Sequence, residues 1–191
     1  MDDDSFNDSF IEMPEGLFDS VETGEPFREC IHCHCDLAAS GRLYLVSKEI
    51  VHGECVLEYA ICEQCRDELS DELSEESKER IQQMLEEGVD WQARFERTME
   101  ASEIDPFIET CIFCGAPRDE EKGYGLSGIF LGGQLFPGPL PAIICANCSE
   151  RIQQLLSKKT RDFWDRFSEE HFPGPPADFV DLPSPHVPAV F

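Results

Sequence analysis

Five potential metal ligands crowd into six consecutive positions near the start of the chain: Cys30, His32, Cys33, His34 and Cys35. Thiolates hold zinc at about 2.3 Å and imidazoles at about 2.0–2.1 Å. Within the run, Cys30 and Cys33 have the two-residue spacing that lets one tight turn aim both sulfurs at the same ion. The pattern recurs at Cys62 and Cys65, at Cys111 and Cys114, and at Cys145 and Cys148. One pair is a weak signal. Two pairs complete a tetrahedral set of four thiolates, and here the double pair occurs twice. The expected ligands are Cys30, Cys33, Cys62 and Cys65 for one ion and Cys111, Cys114, Cys145 and Cys148 for another, with two zinc ions per chain.

Such a site points away from catalysis. Four thiolates leave no coordination position for water and make zinc a poor Lewis acid, whereas a catalytic zinc keeps an open position. The chain has no His-Glu-x-x-His helix, no Gly-x-Ser-x-Gly elbow and no Gly-x4-Gly-Lys-Ser/Thr phosphate loop. The glycines of residues 123–133 lack the lysine of a phosphate loop and read as hairpin bends. The chain is therefore expected not to be an enzyme, and the metal to serve folding. Structural zinc contributes on the order of 10–16 kcal/mol of apparent binding energy in zinc-finger peptides.

The elements that position these ligands form an internal repeat. The first pairs are offset by 81 residues and the second pairs by 83. In each copy the first pair precedes an apolar stretch, 41–62 or 123–145, that reads as a β-hairpin. The second pair then follows a short strand (Tyr59–Ile61 or Ala142–Ile144) and opens a helix. Knuckle, hairpin and helix in that order make a treble-clef-like unit, with the positive end of the helix facing the thiolates. Residues 66–87 read as one helix with Leu69, Leu73 and Ile81 on its apolar stripe, and 149–171 as another with Ile152, Phe163 and Phe167 on its own. "SKERIQQMLEE" at 77–87 and "SERIQQLLSKK" at 149–159 are nearly the same words, which implies about a dozen extra helical residues in the first copy. Gly88 is a helix stop and Asp90 the cap of a further helix. That helix carries Trp91, Phe95 and Met99, a stripe expected to pack in the core, with a partner groove as the alternative. Ile129, Phe130, Leu131, Leu135 and Phe136 offer either an exposed docking hairpin or packing against Phe163 and Phe167.

The fold class that follows is a small α+β zinc-binding protein, two treble-clef-like units joined by a helical acidic linker. Its expected parts are an acidic disordered arm at 1–28, a first zinc unit at 29–88, a linker at 89–109, a second zinc unit at 110–171 and a Pro-rich disordered tail at 172–191. His32, His34 and Cys35 have no ligand counterpart in the second copy, where Phe113, Gly115 and Ala116 stand. Cys55 and His52 lack one too. They read either as surface histidines and spare thiols, or as a further open site built from Cys35, Cys55 and His34 or His52. His32 is placed to shield the first site or to hydrogen-bond a ligand sulfur.

The second copy, with its Cys-x2-Cys-Gly knuckle at 111–115 and the "IICANCSERIQQLL" run, resembles the small zinc-binding domain at the front of the ClpX protein unfoldase. The resemblance implies that Cys111, Cys114, Cys145 and Cys148 bind zinc, that Gly115 is the knuckle glycine, and that the unit binds partner proteins and self-associates. It covers a module only. The stretch from Gly115 to Ile144 is longer than that family needs.

Net charge limits the partners. The chain carries −25 overall; residues 1–29 hold ten acids against one base, and residues 66–110 fifteen against five. Such a surface repels nucleic acid and anionic membrane, so neither is expected as a partner. The acidic N-terminus does not resemble a signal peptide, and no run is long and apolar enough to span a bilayer, so the expected compartment is the cytoplasm. The function expected is that of a non-enzymatic zinc protein that binds other proteins, with a homodimer through the apolar hairpin or helices as a further form. Two alternatives stand beside it: a thiol-based redox or metal sensor using Cys35 and Cys55, with iron in place of zinc as a related idea, and an acidic mimic of nucleic acid.

Overall fold

In the computed structural model, which describes residues 13–120 and 122–172, the two cysteine-bearing halves meet in one antiparallel sheet. β1 (Leu43–Val51) and β2 (Glu54–Cys62) form a hairpin that turns at His52 and Gly53, both at positive φ. A two-residue I′ turn requires that conformation at both central positions. β3 (Tyr124–Leu131) turns into the short β4 (Gln134–Leu135), and β5 (Ala142–Cys145) returns beside β3. β1 and β3 pair with each other from Leu43↔Leu131 to Ile50↔Tyr124 and so join the hairpins.

The registers reveal an approximate two-fold axis. Tyr44↔Cys62 and Leu45↔Ile61 in the first hairpin correspond to Tyr124↔Cys145 and Gly125↔Ile144 in the second. Midway along the seam Ser47 faces Ser127, with their hydroxyl oxygens 3.3 Å apart. The halves meet as the subunits of an isologous dimer do, the same surface on both sides.

Among the described residues, α1 (Glu63–Glu72), α2 (Glu75–Gly88), α3 (Trp91–Glu100) and α4 (Asp105–Ile108) follow the first hairpin, and α5 (Ala146–Leu155) and α6 (Lys158–His171) follow β5. The 83-residue offset holds through them, so α1 matches α5 and α2 matches α6 in both start and length. This corrects three expectations: one helix over 66–87, one over 149–171, and extra helical residues in the first copy. Each run breaks just before a serine. Ser74 and Ser157 take extended backbone and cap the next helix by accepting from the N–H of Ser77 and of Thr160. The near-identical words at 77–87 and 149–159 fall mainly on α2 and α5, which are packed neighbours rather than equivalents.

The two breaks meet at a second crossing of the axis. The hydroxyls of Ser74 and Ser157 lie 2.8 Å apart. Ser77 Oγ accepts the N–H of Ser157 at 2.9 Å, and Thr160 Oγ1 accepts the N–H of Ser74 at 3.1 Å. Each half thus satisfies an amide that the other half's helix break leaves open.

The sheet is covered on both faces, which is why β1 is buried almost continuously instead of alternating. Leu45, Ser127 and Ile129 share a cavity lining with residues of α1, α2 and α3. On the opposite face Phe18 lies edge-on to Phe130, 5.2 Å between centroids, above Gly128, where a Cβ would come within 2.9 Å of its ring. Buried Lys48 donates to the Asp19 carbonyl and pairs with Glu58 at 3.4 Å. Glu58 accepts from the Ser20 hydroxyl at 2.7 Å and the Val21 N–H at 2.8 Å. Burial alone would push Glu58 up, but these donors and Lys48 hold its carboxyl below the ordinary value. Residues 13–28 of the expected arm therefore lie docked on the sheet. Residues 1–12 and 173–191, the rest of the arm and nearly all of the expected tail, fall outside the described residues. The apolar hairpin is largely packed as well, with Ile129 and Leu131 half-buried and Phe136 exposed. Phe130 and Leu135 are buried, and Phe130 stacks on Tyr44 rather than on Phe163 or Phe167.

Ser77→Ala leaves the Ser157 amide without its buried acceptor and should lower the unfolding free energy by about 1–3 kcal/mol. Urea denaturation of the metal-loaded protein measures this; an unchanged midpoint would remove the serine crossing from the account.

Candidate metal centres

Both expected ligand sets assemble. The sulfurs of Cys30, Cys33, Cys62 and Cys65 all lie within 4.8 Å of one another, and so do those of Cys111, Cys114, Cys145 and Cys148. Cys33 and Cys62 are 3.8 Å apart, Cys114 and Cys145 3.7 Å. Sulfurs placed 2.3 Å from a tetrahedral ion stand about 3.8 Å from each other. A disulfide would need about 2.05 Å. Donor set and spacing fit a four-coordinate zinc ion in each group.

The first pair of each set sits in a tight turn. In the first copy Cys30 N–H donates to Cys35 O (3.0 Å) and His34 N–H to Cys30 O (2.9 Å); in the second Cys111 N–H donates to Ala116 O (2.8 Å) and Gly115 N–H to Cys111 O (2.9 Å). The turn reverses at positive φ, 67° at Gly115 and 59° at His34. Glycine takes that conformation freely, while His34 is a non-glycine residue held in the left-handed region. Each turn is tied to its sheet, Ile31 N–H to Ala60 O at 2.8 Å and Ile112 N–H to Ile143 O at 2.9 Å. The second pair bridges strand and helix. Cys62 ends β2 and caps α1, with Cys65 in the first turn; Cys145 ends β5 and caps α5, with Cys148 in the first turn. The N–H groups of Cys62 and Cys145 point at the sulfurs of Cys30 (3.5 Å) and Cys111 (3.4 Å). Helix N-termini and amide donors stabilise thiolates.

Burial divides the sulfurs into two kinds. Cys33 and Cys114 are exposed. The N–H of Cys35 draws Cys33 down to about 6, and the N–H of Ala116 lowers Cys114. Burial pushes Cys62, Cys65, Cys145 and Cys148 up. A cation offsets that cost, so metal entry should release protons and acid should reverse it.

The remaining candidates do not join a common site. Cys35 lies against Cys33 and Cys62, and burial pushes its thiol up to about 12. Cys55 is seven residues from Cys62 along β2, a rise of roughly 23 Å. It donates to Leu57 O at 3.3 Å, and burial pushes it up to about 11. His52 is at the hairpin tip. Among the described residues, the groups of three or more potential ligands are the two four-cysteine sets. His32 turns to a partner that the sequence did not reveal: its Nδ1 is 3.2 Å from Nε2 of His171, 139 residues away. The equivalent place in the second copy holds Phe113 against Gly88.

No protein-family model matches the chain, and no match is found among curated proteins or solved structures.

Elemental analysis should find two zinc ions per chain. In Cys145→Ser the second ion should be lost, leaving one at most, and helical circular dichroism should fall. Retention of both ions and of the fold would contradict this ligand assignment.

Proposed function

We propose that this chain is a non-enzymatic, two-zinc protein that binds other proteins, built from two treble-clef-like units. The observation that carries this reading is the closed geometry of both centres. Each gathers four thiols around one point, which would fill all the coordination positions of a tetrahedral ion and leave none for substrate or water. Zinc in these positions would fix the turns, the strand ends and the first turns of α1 and α5, and would supply folding energy. The order of turn, paired strands and cysteine-capped helix in each half supports the treble-clef reading. It is also compatible with the resemblance of the second unit to the ClpX zinc-binding domain, which implies partner binding and self-association. In this chain two such units already meet through β1 and β3, an internal counterpart of a homodimer. No helix among the described residues is long and apolar enough to cross a membrane.

One observation favours a second reading, a thiol sensor. Cys35 is a further thiol two residues from the exposed Cys33 and beside the first centre, so peroxide oxidation of Cys33 followed by disulfide formation with a neighbouring thiol would eject the ion. The distance along β2 separates Cys55 from that chemistry.

Cross-linking mass spectrometry with zinc-loaded and zinc-stripped chain as bait separates the two. The binding reading predicts at least one protein cross-linked reproducibly to the loaded chain and lost with the stripped one. No such protein, together with peroxide-driven zinc release that Cys35→Ser abolishes, would replace binding with sensing.

A further inference from the structure

Helix α3 turns its apolar side outward. Its buried face carries Arg94 (7% exposed) and Thr98 (1%), while Phe95 (46%) and Met99 (49%) face solvent. The cause lies in the second hairpin. Pro137, Pro139 and Pro141 interrupt the strand that runs unbroken as β2 in the first half, because proline has no N–H for the ladder. The carbonyls stranded there need a donor. Arg94 reaches in to serve Pro139 O at 2.7 Å, Pro141 O, and Phe107 O at 3.3 Å. Burial lowers its guanidinium to about 10. With the arginine face turned inward, Phe95 and Met99 face solvent and half-buried Trp91 begins the same row, about 12 Å long at i, i+4 and i+8.

Two features adjoin this row. Exposed Glu96 and Glu100 each follow an apolar member, and exposed Glu86, Glu87 and Asp90 precede it. Arg97 is the exposed base on the helix, and its Nε donates to Ala93 O. At the other end Trp91, held by its Nε1–H to Leu85 O at 3.1 Å, lines a cavity of about 380 Å³ together with Ile112, Ile129, Leu140 and Ile144, and among the described residues the one cation on its wall, Arg66, is paired with Asp67 at 3.1 Å.

We propose that α3 and this cavity dock a basic amphipathic segment of another protein, a helix with apolar anchors at i, i+3, i+4 and i+7 flanked by Lys or Arg. This names the docking site for the protein-binding reading above and rests on it. The charge selects the occupant. An apolar row bordered by carboxylates attracts and orients a cationic helix. A second copy would bring two such acidic borders together on chains of −25 each, so it is not the occupant. The row is short, so affinity should be micromolar and should fall as salt rises.

The probe is a fluorescent Lys/Leu amphipathic peptide, titrated by anisotropy against the full metal-loaded chain at physiological salt. A peptide of equal charge with Ser in place of Leu serves as control. The Leu peptide should bind wild type and the Val21→Ser control equally, since Val21 is an apolar residue 66% exposed elsewhere. Binding should weaken at least roughly tenfold in Phe95→Ser/Met99→Ser, as expected when central anchors are removed. The Ser peptide should bind as weakly as the Leu peptide binds that variant. Both substitutions fall at exposed positions, and unchanged zinc content and circular dichroism verify the fold. Undiminished binding by the double variant, equal binding of the Ser peptide, or no binding at all would overturn the proposal. So would a wild-type dimer in sedimentation that the double variant dissolves, since the row would then join copies of this chain. None of these outcomes touches the wider reading, which stands or falls on the cross-linking experiment.

Discussion

The seam between β1 and β3 is the constraint on which the rest of this molecule depends. Each half is a turn, a hairpin and two short helices, too little chain to bury a core by itself. Pairing β1 with β3 gives each hairpin the neighbour it lacks and lets one core continue through both halves. Because the pairing is antiparallel about Ser47 and Ser127, the cysteine centres fall at opposite ends of the sheet. A metal ion at each end would tie the paired strand terminus, Cys62 or Cys145, to the cysteine turn beside it. The serine crossing at 74, 77, 157 and 160 closes the helical side in the same symmetric way.

Departures from the two-fold axis are where the halves become different objects. Ile81 and Met84 of the first half stand where the second has Trp164 and Phe167. The aromatic set of Phe163, Trp164, Phe167 and Phe172 therefore packs around His171 and Tyr59 without a counterpart. On the other side the prolines of 137–141 break the strand, Arg94 moves inward to satisfy their carbonyls, and the apolar side of α3 is left outside. One local conflict between proline and the sheet thus propagates to a surface more than forty residues away in sequence.

The two four-cysteine groups were legible because metal binding needs specific residue types at a fixed local spacing, and four Cys-x2-Cys pairs offer it without reference to the rest of the fold. The hairpins and the cap at Asp90 were legible for the same local reason. The seam was not, since strand pairing across some 80 residues leaves no periodic mark in either strand. The helix breaks did leave a signal: Leu73-Ser74 and Leu156-Ser157 recur at the same 83-residue offset as the second cysteine pairs. The stronger word likeness at 77–87 and 149–159 masked it. The Trp91, Phe95 and Met99 stripe misled because periodicity identifies a face without saying which way it points, and a buried arginine with three carbonyl partners outweighed it. Docking of residues 13–28 depends on Glu58 and Lys48 of strands that lie far along the chain, and acidic composition alone gave no hint of it.

With a metal ion in each four-cysteine group, the two centres and the one seam should fold as a single unit. Zinc titration of the metal-free chain, followed by circular dichroism and by hydrogen exchange of β1 and β3 amides, tests it most directly. One cooperative transition is expected, complete at two zinc ions per chain, with both strands protected together. Two separate transitions, or full protection of the seam without metal, would contradict it.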